Sequence, residues 1–240
     1  MTSKRVVIKA SADVVEHLGS PTSQLRTHIL YALYNGTQLG TLTKIVLVDT
    51  GGAERDYTTT LQFSTGATLT VQGTITATAS YTIARVRLYS GANLYFDTPV
   101  SEQKAVSPGD TVTATVTITL SGSGSLTGYT YVLDQLRPYF YDVLRGARTA
   151  SALNINKIRI YIRNVDTGQT LYYDQTPTET IDTTNLKLTI STSITLDFTW
   201  ETRNIEIYAG TTRLWYWNLT GSPQGGSPGT TLTYTETVNI

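Results

Sequence analysis

The stretch SPGTTLTYTETVNI (Ser227–Ile240) nearly copies SPGDTVTATVTITL (Ser107–Leu120), and the prolines of the two copies stand 228 − 108 = 120 positions apart. Each copy is a Pro-Gly turn followed by a long strand. Successive side chains of a strand point to opposite faces. Val112, Ala114, Val116, Ile118 and Leu120 therefore share one face and threonines fill the other. The second copy places Leu232, Tyr234, Glu236, Val238 and Ile240 on the matching face. Such a strand occurring twice at this distance predicts a tandem duplication in which each unit ends on its own copy.

Other landmarks repeat in the same order. Ser23-Gln24-Leu25-Arg26 opens a helical pattern with Leu25, Ile29, Leu30 and Leu33 on one face, ending at Asn35-Gly36. Asp134-Gln135-Leu136-Arg137 opens its counterpart, with Leu136, Phe140, Val143 and Leu144, ending at Gly146. Ser23 and Asp134 are suited to accept the free N–H groups of a first turn, and Pro138 falls where a missing N–H costs least. After each helix comes a strand that begins Lys-Ile, KIVLV (Lys44–Val48) and KIRIYIRNV (Lys157–Val165). A late hairpin also repeats, ARVRLYSGANLYFD (Ala84–Asp97) against RNIEIYAGTTRLWYWN (Arg203–Asn218). The offset is 136 − 25 = 111 at the helices and 208 − 89 = 119 at the hairpins, as expected when loops gain residues and element order is kept. At the N-terminus, residues 4–10 predict a strand, and Ser11–Gly19 one or two helical turns with a Ser cap and a Gly stop. The Gly/Ser segment SGSGSLTG (Ser121–Gly128) marks the boundary, giving a first unit over 1–122, a linker over 123–128 and a second unit over 129–240.

Threonine is about a fifth of the chain and there are 16 tyrosines, a composition that fits pleated, half-exposed sheets. The expected fold is all-β, with two tandem antiparallel β-sandwiches of jelly-roll or immunoglobulin-like type, each carrying one short helix near its start. The 18 Lys and Arg balance 18 Asp and Glu, so no net field recruits nucleic acid or an anionic membrane surface. The absence of cysteine excludes disulfides and thiolate metal sites. The apolar run at the N-terminus is too short for a signal-peptide core, and no run approaches the length of a membrane span.

The order of an opening helix ending in Gly, a Lys-Ile strand, a hairpin of the RLYSGANLYF kind and a closing SPGDTVTATVTITL strand resembles β-sandwich modules of virion proteins from viruses of thermophilic archaea and bacteria, of tail-fibre, turret or spike type. The resemblance spans nearly all of both units. It implies a non-enzymatic virion structural protein without cofactors, located in the virion and assembled in the host cytoplasm. The implied partners are further copies of the chain and other virion proteins. It leaves open a receptor- or carbohydrate-binding attachment protein that meets host surface glycans.

Several motifs invite chemistry. Asp-Thr-Gly occurs as Asp49-Thr50-Gly51 and as Asp166-Thr167-Gly168, one per unit, and so resembles the paired loops of a duplicated aspartic protease, whose two carboxylates share a proton. Against that, Gly52 or Gln169 follows where the family has Ala or Ser, the downstream apolar-apolar-Gly loop is not clearly present, and the motifs stand at 5 and 9 residues from Lys44 and Lys157. Hairpin turns are the expectation. His17 and His28 are expected to be solvated or at the core edge. Asp49, Glu54 and Asp56 could offer oxygens to a hard cation, but Arg55 lies among them and a solvated turn is expected. No metal site is expected. The aromatic residues single out the second unit, which holds ten of the 16 tyrosines and Trp200, Trp215 and Trp217. Alternation is lost in Leu214-Trp215-Tyr216-Trp217, so Trp215, Tyr216 and Trp217, joined by Tyr172, Tyr173 and Tyr234, form the candidate contact or ligand surface, with burial in a bulkier core as the other reading.

Overall fold

A computed structural model describes residues 5–13, 21–120, 130–133, 135–221 and 223–239. In chain order the elements are β1 (Arg5–Asp13), α1 (Ser23–Asn35), β2 (Lys44–Asp49), β3 (Glu54–Thr58), β4 (Leu61–Thr65), β5 (Leu69–Thr76), β6 (Tyr81–Ser90), β7 (Asn93–Val106) and β8 (Thr111–Thr119). They continue with β9 (Thr130–Leu133), α2 (Leu136–Leu144), β10 (Lys157–Asn164), β11 (Thr170–Gln175), β12 (Thr178–Asp182), β13 (Lys187–Thr195), β14 (Trp200–Ala209), β15 (Thr212–Asn218), β16 (Gly225–Gly226) and β17 (Thr231–Asn239).

The fold is all-β and sandwich-type. One sheet runs β3-β2-β6-β7 and a second β1-β8-β5-β4; a third runs β11-β10-β14-β15-β9, with β16 also on β14, and a fourth β12-β13-β17. Matching β2 with β10, β6 with β14, β5 with β13 and β8 with β17 makes the strand orders coincide, so the repeat read from the closing strand is a repeat of topology. The strand pairs are antiparallel except β1 on β8, which is parallel over nine residue pairs from Arg5↔Thr111 to Asp13↔Thr119.

Alternation sorts the side chains. On β10, Ile158, Ile160 and Ile162 are fully buried, while Arg159, Tyr161 and Arg163 between them face outward. On β8, Val112, Ala114, Val116 and Ile118 are fully buried. Where the first two sheets pack, Gly73 of β5 admits Thr58 and Ile45 so closely that a Cβ there would lie 2.5 Å from the Thr58 methyl.

The chain forms two compact units, each drawn from more than one stretch. The first comprises Met1–His28, Leu39–Ser121 and Tyr141–Arg148; the second Ile29–Gln38, Gly122–Phe140 and Thr149–Ile240. Within the first, Leu42 N–H donates to the Leu144 carbonyl (2.8 Å) and Leu120 N–H to the Tyr141 hydroxyl (2.9 Å), so residues beyond the Gly/Ser segment complete it. Within the second, Ile155 N–H donates to the Leu33 carbonyl (2.8 Å).

α1 buries the expected face, Leu25, Ile29, Leu30 and Leu33, and α2 buries Phe140, Val143 and Leu144 while Leu136, in its first turn, is half-buried. The cap of α1 differs from expectation. Thr22, one residue earlier than Ser23, accepts the Leu25 N–H through its hydroxyl (3.2 Å). Gly36 ends α1 at φ 70°, where Gly is favoured, and a Cβ there would stand 2.8 Å from the Ser151 Cα. Ser11–Asp13 belong to β1 rather than to a helical turn, because the parallel ladder to β8 continues through Asp13. The rest of that expected turn with His17, the segment Ser121–Gly128, the Asp134 cap and Ile240 lie outside the described residues.

The composition of the first unit has a direct consequence. A fragment over 1–148, which retains Tyr141 and Leu144, is expected to melt cooperatively. One over 1–122 is expected to melt at least roughly 3 °C lower, since about 1 kcal/mol moves the midpoint of a domain of roughly 120–150 residues by about 3–4 °C. Circular dichroism melts of the two fragments check this, and equal midpoints would count against the role assigned to 141–148.

Candidate functional surface

The loss of alternation in Leu214-Trp215-Tyr216-Trp217 has a local cause. The β14–β15 register shifts by one residue between Ile207 and Tyr208, so Ile207 faces Trp215 while Tyr208 faces Arg213, and Leu214 is the extra residue of a bulge. Leu214 and Trp215 consequently both point inward, Tyr216 outward and Trp217 inward again. Trp215 is 1% exposed and Trp217 6%, so neither presents a ring at the surface of the second unit. Their place in the candidate contact surface is corrected to the core by the bulge. The first unit carries the same device, a shift between Leu88 and Tyr89 that leaves Tyr95 as the extra residue beside the buried Phe96.

Tyr234 is half-buried on β17, and its hydroxyl donates to Glu236. Both Glu236 oxygens also accept the Trp215 indole N–H (3.2 Å each), which ties β17 to the facing sheet. Tyr173 is half-buried on β11 beside Leu196 and Pro228. Tyr216 and Tyr172 stand on the outward face.

That outward face is a connected array. Across β11, β10, β14 and β15 one row reads Asp174, Arg159, Glu206, Tyr216, each opposite the next. Arg159 donates two hydrogen bonds to Asp174 (2.6 and 2.8 Å), holding that carboxyl below its ordinary range. Glu206, only 3% exposed, accepts from the Tyr208 hydroxyl (2.7 Å) and from Arg213. Cations sit over the rings, with Lys157 4.3 Å from the Tyr208 centroid, Arg159 4.3 Å from that of Tyr172 and Arg213 4.4 Å from that of Tyr216. Tyr172 remains 59% exposed at the edge of the array.

The first unit repeats the arrangement on β3-β2-β6-β7. Lys44 lies 4.3 Å from the Tyr89 ring and 5.5 Å from that of Tyr57, and Arg87 bridges Glu54 (3.0 Å) and Asp97 (3.3 Å). Tyr57 is 62% exposed. Each unit thus offers one projecting tyrosine on the strand that follows its Lys-Ile strand, with a cation against the ring. Tyr57 and Arg159 escape a reading of the aromatic distribution alone. The signal that locates them is the pairing of each Lys-Ile strand with the strand after it.

The other candidate motifs resolve into structure. Asp49 accepts the Ala53 N–H (2.9 Å) and pairs with Arg55, which together hold its carboxyl below the usual range. Glu54 turns to Arg87 and Tyr89, and Asp56 accepts from Thr78 and from the Tyr81 hydroxyl (2.7 Å). Three carboxylates that lie close in sequence thus face three sets of partners, and no group of ligands able to hold a metal ion occurs among the described residues. Both Asp-Thr-Gly motifs are hairpin turns, but they are not equivalent. Asp49 ends β2, whereas the residue that ends β10 is Asn164, whose side chain accepts the Asp166 and Thr167 N–H groups (3.0 and 3.1 Å). His28 contacts the buried Tyr95 hydroxyl through Nδ1 (2.9 Å), and partial burial lowers its pKa.

The interior of the second unit is unusual in one row. In the first unit Phe63, Val71 and Val116 lie opposite one another across β4, β5 and β8. The matching row in the second is Glu179, Ile190 and Glu236. Burial raises the pKa of Glu236, and it pushes that of Glu179 up to about 7. The Glu179 Oε1 has no hydrogen-bond partner among the described residues.

Comparisons with protein-family models, with curated proteins and with solved structures find no match to this chain.

The Glu179 shift sets a pH dependence. The folded state keeps its proton to about pH 7, whereas the unfolded chain releases it near 4.5. Between those values the folded state binds more protons, so stability falls as pH rises through that window and levels off above it. Glu179→Gln is expected to leave the melting temperature unchanged at pH 4 and to raise it at pH 8 by roughly 2–4 °C, the shift that about 1 kcal/mol produces in a chain this long. Calorimetry at the two pH values measures it; an equal shift at both would assign the effect to packing.

Proposed function

We propose that this chain is a non-enzymatic structural protein of a virus particle, a capsid, turret, spike or tail component that assembles through protein–protein interfaces with itself and with other virion proteins. The observation that carries the reading is the repeated outward array, in which Tyr57 at 62% and Tyr172 at 59% exposure project from corresponding strands. Tyrosine supplies large contact area at low conformational-entropy cost, and the cations beneath the rings hold them in place before any partner arrives. The ion pairs Arg159–Asp174 and Arg87–Asp97 keep the surrounding face polar, so the array stays soluble until it is covered. The resemblance of the element order to virion β-sandwich modules supplies the viral context. Mechanism here is recognition between surfaces, with the sandwich as the rigid support.

A second reading is attachment to host surface glycans. The exposed Tyr172 ring beside the Arg159–Asp174 pair would offer a stacking face next to hydrogen-bonding groups, the chemistry a sugar ring uses.

The double variant Tyr57→Ala/Tyr172→Ala is expected to weaken self-association at least about tenfold, the effect of truncating an interface hot spot, with the melting temperature unchanged. Sedimentation over a concentration series measures it. Mass spectrometry of purified particles tests the virion assignment, and a glycan array with Tyr172→Ala as control tests the second reading. A chain absent from particles and monomeric at every concentration would overturn the structural proposal.

A further inference from the structure

Resting on the second reading above and narrowing it, we infer that a strip of four side chains across the outward face of the second unit, Tyr172, Tyr161, Asn204 and Asn218, is a binding site for a neutral, linear oligosaccharide.

The strip follows from register. Tyr172 of β11 lies opposite Tyr161 of β10, Tyr161 opposite Asn204 of β14, and Asn204 opposite Asn218 of β15. Three strand spacings of about 4.8 Å make the row roughly 14 Å long, the reach of a short chain of sugar rings. The two tyrosine rings stand 6.0 Å apart at a tilt of 48°. Tyr172 is 59% exposed and the other three are half-buried.

The hydrogen-bonding groups of the strip are not used up. The Asn204 Oδ1 has no partner among the described residues although it is sheltered from water, and a bare acceptor of that kind destabilises a fold. The last torsion of an Asn side chain is broad, so a small turn of the amide brings this acceptor to a ligand's hydroxyl. Asn218 is held the other way round. Its Oδ1 accepts the Thr220 N–H (3.0 Å) and hydroxyl (2.7 Å), which leaves the amide nitrogen as an oriented donor. A sugar answers all of these groups together, since the C–H face of its ring packs on an aromatic ring and each hydroxyl both donates and accepts.

Charge narrows the class of ligand. The row contains no Asp, Glu, Lys or Arg, and it lies between two ionic rows, Asp174, Arg159 and Glu206 on one side and Arg163 and Glu201 on the other. Those cations are already held, Arg159 by Asp174 (2.6 Å) and Arg163 by Glu201 (3.6 Å). A charged ligand would have to compete with these pairs, whereas an uncharged one leaves them intact. Nor does the row hold an aliphatic side chain with which to build the apolar centre of a protein interface.

The first unit shows the same row without these groups. Counted from Lys44 and Lys157, the residue matching Tyr161 is Val48, and its row reads Glu54, Val48, Arg85 and Pro99 across β3, β2, β6 and β7. Val48 is fully buried and Arg85 donates to Asp97 (2.7 Å), so this row offers neither a ring nor an uncommitted amide. The strip therefore belongs to the second unit alone and is not a by-product of the shared sheet.

The test probes an array of neutral and acidic oligosaccharides with the full chain and titrates the neutral hits, as free sugars, by calorimetry. Asn204→Ala is expected to weaken binding at least about tenfold, the loss of one well-placed hydrogen bond. Because that substitution removes a bare acceptor, the melting temperature is expected not to fall. On the parent, saturating the tyrosine ring protons in an NMR experiment is expected to pass magnetisation to the C–H protons of the bound sugar, a readout that stands even if the variant folds poorly. Binding lost in Tyr172→Ala but kept in Asn204→Ala would overturn the strip and leave the glycan reading standing, and so would hits confined to acidic oligosaccharides. An array without a single hit would overturn both.

Discussion

The two-residue period of the strand is the constraint on which both the core and the surface depend, and one inserted residue in each long hairpin adjusts it. A bulge lets two consecutive large side chains turn inward, Tyr95 and Phe96 in one unit and Leu214 and Trp215 in the other. Without it, Trp215 would exchange faces with Tyr216 and the indole would lose Glu236, its link to the opposing sheet. The same shift leaves Arg213 outside, where it lies over the Tyr216 ring and reaches Glu206. Core and outer array are consequences of one backbone irregularity.

Both units have this device, while their closing strands differ. Val116 lies in a wholly apolar row; Glu236, at the matching place, lies in a row with Glu179. A buried carboxyl costs free energy unless it is bonded or protonated, and the chain uses both routes. Glu236 accepts from the Trp215 indole and from Tyr234, and burial raises the pKa of each carboxyl. The second unit thereby exchanges some apolar burial for a polar tie between its sheets. That tie places Tyr234 and Trp215 together under β17, so the divergence that marks the sequence as an imperfect repeat also fixes how its last strand is held.

Much of this was legible in the residues. The helical faces of α1 and α2, the Lys-Ile strands, the Gly91 and Gly210 hairpins and the alternation of β8 follow from local periods and turn chemistry, which need no knowledge of distant partners. The orientation of Trp215 was not, because a bulge is a property of a pair of strands and only the register with Ile207 reveals it. Nor was the use of 141–148 by the first unit, where Leu144 bonds to Leu42 across 102 positions of sequence (144 − 42 = 102). The two Asp-Thr-Gly motifs misled for a related reason. Identical triplets sit at different places in their hairpins, since β10 runs to Asn164 before its turn begins while β2 ends on Asp49 itself.

The distribution of charge completes the physical account. The chain has equal numbers of acidic and basic groups, and on the outward face they are spent locally, each cation engaged by a carboxylate, a tyrosine ring or both. Paired charges of this kind add little stability at a solvated surface. Their effect is to fix the orientation of rings that would otherwise rotate, so that Tyr172 and Tyr57 each project in a defined direction from the polar face of their own unit. The edge of β17 follows the opposite course, with threonines and no charge along its exposed side. A face whose charges are paired and a closing strand without Lys, Arg or Pro are two different solutions within one fold: the first keeps the surface around the projecting rings polar, and the second leaves threonines as the exposed groups.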